Sequence, residues 1–251
     1  MTDHDTRSSL TRRETLGAAG AAAGGLWLGG PLLANLASPD LALAACAVLT
    51  PEAEEGPFYV GLEKVRSHIR TGKAGVPMHL RIRVINTTTC KPIHNAAVDI
   101  WQADALGRYS DESREGTLGE TWLRGVQLTS AKGYVDFHTI YPGHYQGRTT
   151  HIHLKVHIGG KTAGTTYSGG HVSHTGQLFT PDALNAKVYK LSPYSKTTTA
   201  ITTHAKDRVY TTEHGRKTVL TVQRLGTSLA RSGVLATITV GVNPKSTPSA
   251  L

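Results

Sequence analysis

The chain has 251 residues, 39% hydrophobic and 18% charged, with a formal charge of +9. Those values suit one soluble domain with a sizeable core and exclude a disordered, collagenous or multi-span membrane chain. The basic residues form no block of five, and no helix-turn-helix or RNA-binding pattern is present, so nucleic acid is not an expected partner.

The first element is a targeting segment. Arg12-Arg13 precede a stretch from Leu16 to Ala37 that is uncharged and rich in Gly and Ala. Residues 1–45 therefore read as a twin-arginine export signal, whose machinery moves proteins already folded and loaded with cofactor. A membrane anchor is the competing reading, but Gly, Ala and Pro31 leave the stretch weakly apolar. Cleavage fits after Ala42-Leu43-Ala44. Alternatively, Leu43-Ala44-Ala45-Cys46 resembles a lipobox that would place lipid on Cys46. The other use of Cys46 is a disulfide with Cys90, the only other cysteine, which an extracytoplasmic location permits.

Beyond the signal, turn residues separate short runs rich in β-branched residues. These predict strands at Met78–Ile85, Ala96–Ala103, Thr121–Leu128, Tyr134–Ile140, Thr149–Ile158, Gly176–Thr180, Asp207–Tyr210, Val219–Arg224 and Leu235–Val242. Residues 46–242 are thus expected to form one all-β, antiparallel sandwich. Lys161–Thr175 reads as a long surface loop, and 243–251, with Pro244 and Pro248, as a frayed tail.

Histidine is abundant at 13 residues, and tyrosine outnumbers phenylalanine by 9 to 3. The sharpest local signal is His151-Ile152-His153 within a predicted strand. Side chains at i and i+2 share a face, so the two imidazoles project together, while Ile152, Leu154, Val156 and Ile158 form an apolar row opposite. His157 has the same parity but lies roughly 20 Å from His151 at strand rise, too far to share an ion. Upstream, Trp101-Gln102-Ala103-Asp104-Ala105-Leu106-Gly107-Arg108-Tyr109 delivers one tyrosine from a strand end. Tyr141-Pro142-Gly143-His144-Tyr145-Gln146-Gly147-Arg148 delivers a second, just before the histidines.

This ordered series resembles the intradiol ring-cleavage dioxygenases, from Thr50-Pro51-Glu52 through Gly56-Pro57-Phe58-Tyr59 to Gln177. The resemblance implies a non-haem Fe(III) cofactor held by Tyr109, Tyr145, His151 and His153, with Tyr145 and His153 axial. It implies that Tyr145 is displaced by substrate and takes up a substrate proton. By the same carry-over, Arg148 would stabilise negative charge on the ring, and Gln177, Phe58 and Tyr59 would line the pocket. The reaction implied is O2-dependent opening of a catechol-type ring between its hydroxyls, to a cis,cis-muconate-type diacid. A hard trivalent cation suits that donor set, since it prefers anionic oxygen and imidazole to thiolate. Two features depart from the family pattern: the helical dimerisation domain of its catechol branch has no room here, and Glu54-Glu55 stand where a hydroxyl residue often comes first.

Two other functions remain to be weighed. One is a zinc hydrolase using His151, His153 and a third histidine such as His144 or His174. The other is a metal-free, transthyretin-like binding module of the cell envelope.

Overall fold

The computed structural model describes residues 48–62 and 64–248. Arg12, Arg13, both processing sites and Cys46, and with it the Cys46–Cys90 bond, lie outside the described residues.

Two four-stranded sheets make the body of the fold. The first has the order β4-β1-β10-β9 and the second β3-β2-β5-β8. Their strands are β1 Pro77–Asn86, β2 Ala97–Trp101, β3 Arg124–Leu128, β4 Tyr134–Ile140, β5 His151–Ile158, β8 His171–Phe179, β9 Thr221–Arg224 and β10 Val234–Val242. Period-2 alternation explains why they pack. Leu80, Ile82 and Val84 of β1, Val135 and Phe137 of β4, and Ala236 and Val240 of β10 face one core with Val98 and Ile100 of β2 and Ile152, Leu154 and Val156 of β5. Each of the larger aliphatic side chains so buried contributes about 1.5–3 kcal/mol, so this cluster dominates the cohesion of the sandwich. Every pairing within the two sheets is antiparallel except β1 with β10, which run parallel with Met78 opposite Val234.

Three local expectations are corrected. Asp207–Tyr210 is not a strand: Asp207 caps a short helix, Arg208–Thr212, by accepting from the Tyr210 N–H. Its β-favouring residues were misleading, because an aspartate capping the first turn outweighs a two-residue propensity signal. Lys161–Thr175 is not a structureless loop. It holds a hairpin of β6 Lys161–Ala163 and β7 Thr166–Ser168, followed by the start of β8. The 243–248 segment is also tied down at its start, where Ser173 Oγ donates to the Asn243 carbonyl and the His171 ring contacts the Pro244 carbonyl.

The outer face of the second sheet is also covered. Residues 53–58 run across it, with the Ala53 N–H donating to the Thr175 carbonyl and Arg124 Nη1 donating to the Phe58 carbonyl. The alternate side chains of β5 that point away from the core, His151, His153, Lys155 and His157, are therefore buried as well.

Candidate metal centre

Three pieces of chain meet on this covered face. From β5, His151 and His153 project side by side, their Nε2 atoms 3.0 Å apart. From the loop before β5, Tyr145 brings its Oη to 3.2 Å from His151 Nε2. From the loop after β2, Tyr109 lies edge-on to both Tyr145 and His153, with ring centroids 5.7 and 6.0 Å away. The two tyrosine loops are laid directly against each other. A Cβ at Gly107 would come within 2.2 Å of the His144 carbonyl oxygen, and one at Gly143 within 2.4 Å of that of Asp104. Only glycine permits that approach. Asp104 holds the first loop in shape by accepting from the Leu106 and Arg108 N–H groups and pairing with Lys73 at 2.7 Å.

The protonation states suit a metal. Burial first, then the Arg148 charge, pushes both His151 and His153 well below the usual imidazole range, so both rings are neutral. The His151 Nδ1–H donates to the Thr149 carbonyl at 2.7 Å, which leaves Nε2 with its lone pair facing the cluster. Burial, reinforced by the neighbouring Tyr145 phenol, raises Tyr109 well above the usual phenol range. Burial also raises Tyr145, against the opposing pull of Arg148. Tyr109 Oη is buried without a hydrogen-bond partner. Such a group is costly unless something else meets it. Two neutral imidazole nitrogens, one orphaned phenol and a second phenol within hydrogen-bond distance therefore form a donor set that fits a hard cation.

The other expected residues divide by position. Arg148 sits at the cluster, with Nη1 3.4 Å from Tyr145 Oη, Nη2 bonded to Gln177 Oε1 and Nε 3.0 Å from Asp207. Gln177, opposite His153 in the β5–β8 pairing, also donates to the Glu54 carbonyl. Phe58 stacks on Tyr109 at 4.3 Å and meets Tyr145 edge-on at 5.7 Å. Tyr59 is one layer removed: it packs on Trp101, and Lys155 Nζ lies 3.6 Å from its ring centroid. Trp101 is buried and stacks flat on His153 at 4.9 Å and 8°. Asp207 carried no signal in the sequence beyond its placement in the mistaken strand.

The third histidine of a zinc site is not assembled. His144 packs on Tyr189 and contacts the Thr199 carbonyl, and His174 pairs with Glu52. Among the described residues, no group of three or more His, Cys, Asp or Glu is placed to hold a metal.

Comparison with known proteins agrees with this scaffold. A family model described as Dioxygenase matches residues 55–164, a span that contains all four tyrosines and histidines of the cluster. The chain is 31% identical over 111 residues to catechol 1,2-dioxygenase 1 of Acinetobacter lwoffii, covering 41% of this chain. It is 34% identical over 97 residues, 34% of this chain, to the protocatechuate 3,4-dioxygenase beta chain of Burkholderia cepacia. These alignments span only 36% and 41% of those two relatives. A solved intradiol ring-cleavage dioxygenase from Tetranychus urticae superposes with TM-score 0.71 at 28% identity, over 81% of this chain and 98% of that one. Rhodococcus opacus 3-chlorocatechol 1,2-dioxygenase, at 16% identity and TM-score 0.54 over 81% of this chain and 77% of that one, shares the fold. Architecture and matches together define an all-β sandwich of the dioxygenase class. Within that class, the matched residues 55–164 and the superposition at 28% identity make the chain similar to the intradiol ring-cleavage dioxygenases.

Proposed function

We propose that the protein is a non-haem Fe(III)-dependent dioxygenase that opens a catechol-type ring between its two hydroxyls. O2 is the co-substrate and a cis,cis-muconate-type diacid the product. The observation that carries this reading is the convergence of His151 Nε2, His153 Nε2 and Tyr145 Oη within 3.2 Å steps, beside the orphaned Tyr109 hydroxyl. These four residues would hold the metal. When bound there, Fe(III) would supply Lewis acidity that favours the deprotonated catechol and draws electron density from its ring.

The remaining chemistry belongs to the chain. Tyr145 Oη, beside Arg148, would be held as a phenolate when the metal is bound and in that form would take up a proton from a substrate hydroxyl. Arg148 Nη1, beside that oxygen, stabilises negative charge developing on the ring, an electrostatic role that needs a preorganised donor. Gln177 fixes the far end of the guanidinium. Phe58 offers an apolar wall against Tyr109, and Trp101, flat on His153, keeps water from that ring. The reaction balances without an external reductant: one ring C–C bond and the O–O bond break, and both oxygen atoms enter the diacid.

The precursor is proposed to leave the cytoplasm folded through the twin-arginine route, with Cys46 and Cys90 joined outside. The enzymatic reading is tested by O2 uptake of iron-loaded protein with catechol, protocatechuate and hydroxyquinol. The expected outcome is a coloured protein, from tyrosinate-to-iron charge transfer, that consumes one O2 per ring opened. Iron-loaded protein that is colourless and consumes no O2 with all three refutes it.

A further inference from the structure

We infer that Asp207 is a positioning residue that sets Arg148 and His151 for the reaction; what Arg148 does there rests on the ring-cleavage reading above. Asp207 is fully buried. A carboxylate in such a place is costly unless it is paired and hydrogen-bonded. Its two oxygens do different things. Oδ1 accepts the Tyr210 N–H at 3.1 Å, which is ordinary helix capping. Oδ2 faces the other way, accepting Arg148 Nε–H at 3.0 Å and the Thr149 N–H at 2.8 Å, and no helix cap requires either contact.

Both Oδ2 partners lead to the metal cluster. Thr149 is the residue whose carbonyl takes the His151 Nδ1–H, so fixing Thr149 fixes the tautomer and aim of His151. Arg148 is contested between two carboxylates, because Glu54 Oε1 lies 3.8 Å from Nη1. Glu54 is half-buried and already paired with Arg208 at 2.8 Å. Asp207 holds the guanidinium by its Nε edge, and that grip turns the Nη edge toward Tyr145 Oη and Gln177. Without it, the nearest remaining negative charge is Glu54, at the edge of the site.

The test uses the full chain. In nitrogen-15-edited NMR of protein without added metal, the wild-type Arg148 Nε–H is expected as a distinct, slowly exchanging signal. Asp207→Asn, which keeps the size and one accepting oxygen but removes the charge, should abolish that protection. With iron and catechol, kcat of Asp207→Asn should fall by about 10–100-fold, the usual range for a residue that orients a metal ligand. KM should stay within about threefold, because the loss falls on the transition state. In an Arg148→Gln background, Asp207→Asn should cost clearly less kcat than it does in wild type, since one of the two groups it acts through is already gone and only the Thr149–His151 contact remains to be lost.

Wild-type kcat in folded Asp207→Asn overturns the inference, as do losses that multiply independently in the double variant. A rapidly exchanging Arg148 Nε–H in wild-type protein overturns it even where the variant does not fold. Absence of O2 uptake by wild-type protein would refute the ring-cleavage reading instead, and the resonance measurement would still decide whether Asp207 positions Arg148.

Discussion

Tyr109→Phe should make the metal-free protein more stable and the metal-loaded protein less so. In wild type, the Tyr109 hydroxyl is buried and lacks a hydrogen-bond partner. Leaving such a group unsatisfied costs about 1–3 kcal/mol. Phenylalanine removes the oxygen and keeps the ring, so the stack on Phe58 at 4.3 Å and 15° survives. A gain of about 1–2 kcal/mol corresponds to roughly 2–8 °C in Tm for a domain of this size. Bound metal reverses the order, because a ligand stabilises in proportion to its affinity and the variant has lost one oxygen donor. Tyr145→Phe supplies the contrast. Its hydroxyl has partners in His151 and Arg148, so its loss should destabilise the metal-free protein by about 0.5–1.5 kcal/mol. Thermal unfolding with a chelator and then with ferric iron, alongside iron content and visible spectra, measures all of this. Chelated Tyr109→Phe melting at or below the wild-type temperature, or holding iron with unchanged colour, would refute the reasoning.

Gly56 has φ +73°, and a Cβ there would lie 3.1 Å from His153 Cε1; Gly56→Ala should cost about 1–2 kcal/mol in backbone strain and lower iron per chain, and full iron loading would contradict it. Stability without metal should fall with acid. Burial holds His157 down to about 4 and His151 and His153 well below their ordinary value, so the unfolded chain binds more protons below pH 6.5. The stabilisation is complete above that pH and is lost as pH drops, by up to about 3 kcal/mol for His157 alone near pH 4; urea titrations at pH 7.5 and 4.5 giving equal stability would contradict this. Arg12 and Arg13 changed together to Lys should leave the precursor in the cytoplasm on fractionation, whereas normal export would remove the twin-arginine reading.

Much of the site is legible in the sequence because it is local. His151 and His153 share a face by strand parity alone, and Tyr109 and Tyr145 sit at fixed offsets from glycine turns. The sandwich follows from alternation in β1, β2, β4 and β5, whose inward-facing residues Leu80, Ile82, Val98, Ile100, Val135, Phe137, Ile152 and Leu154 reach one core. What could not be read depends on contacts between distant residues. Asp207 meets Arg148 across 59 positions, and its local sequence looks like strand. Trp101 reads as core on composition, because nothing in its own segment announces that β5 sets His153 opposite it. The hairpin within Lys161–Thr175 has strands of three residues, too short for alternation to register.

The parallel pairing of β1 with β10 sets an order of events in time. β10 lies between β1 and β9, inside its sheet, yet it is the last strand along the chain. While the chain is being made, β1 has an open edge until Val242 is available. The exposed edge invites wrong partners, and closing so long a loop is slow. The first sheet is therefore completed after synthesis of nearly the whole chain.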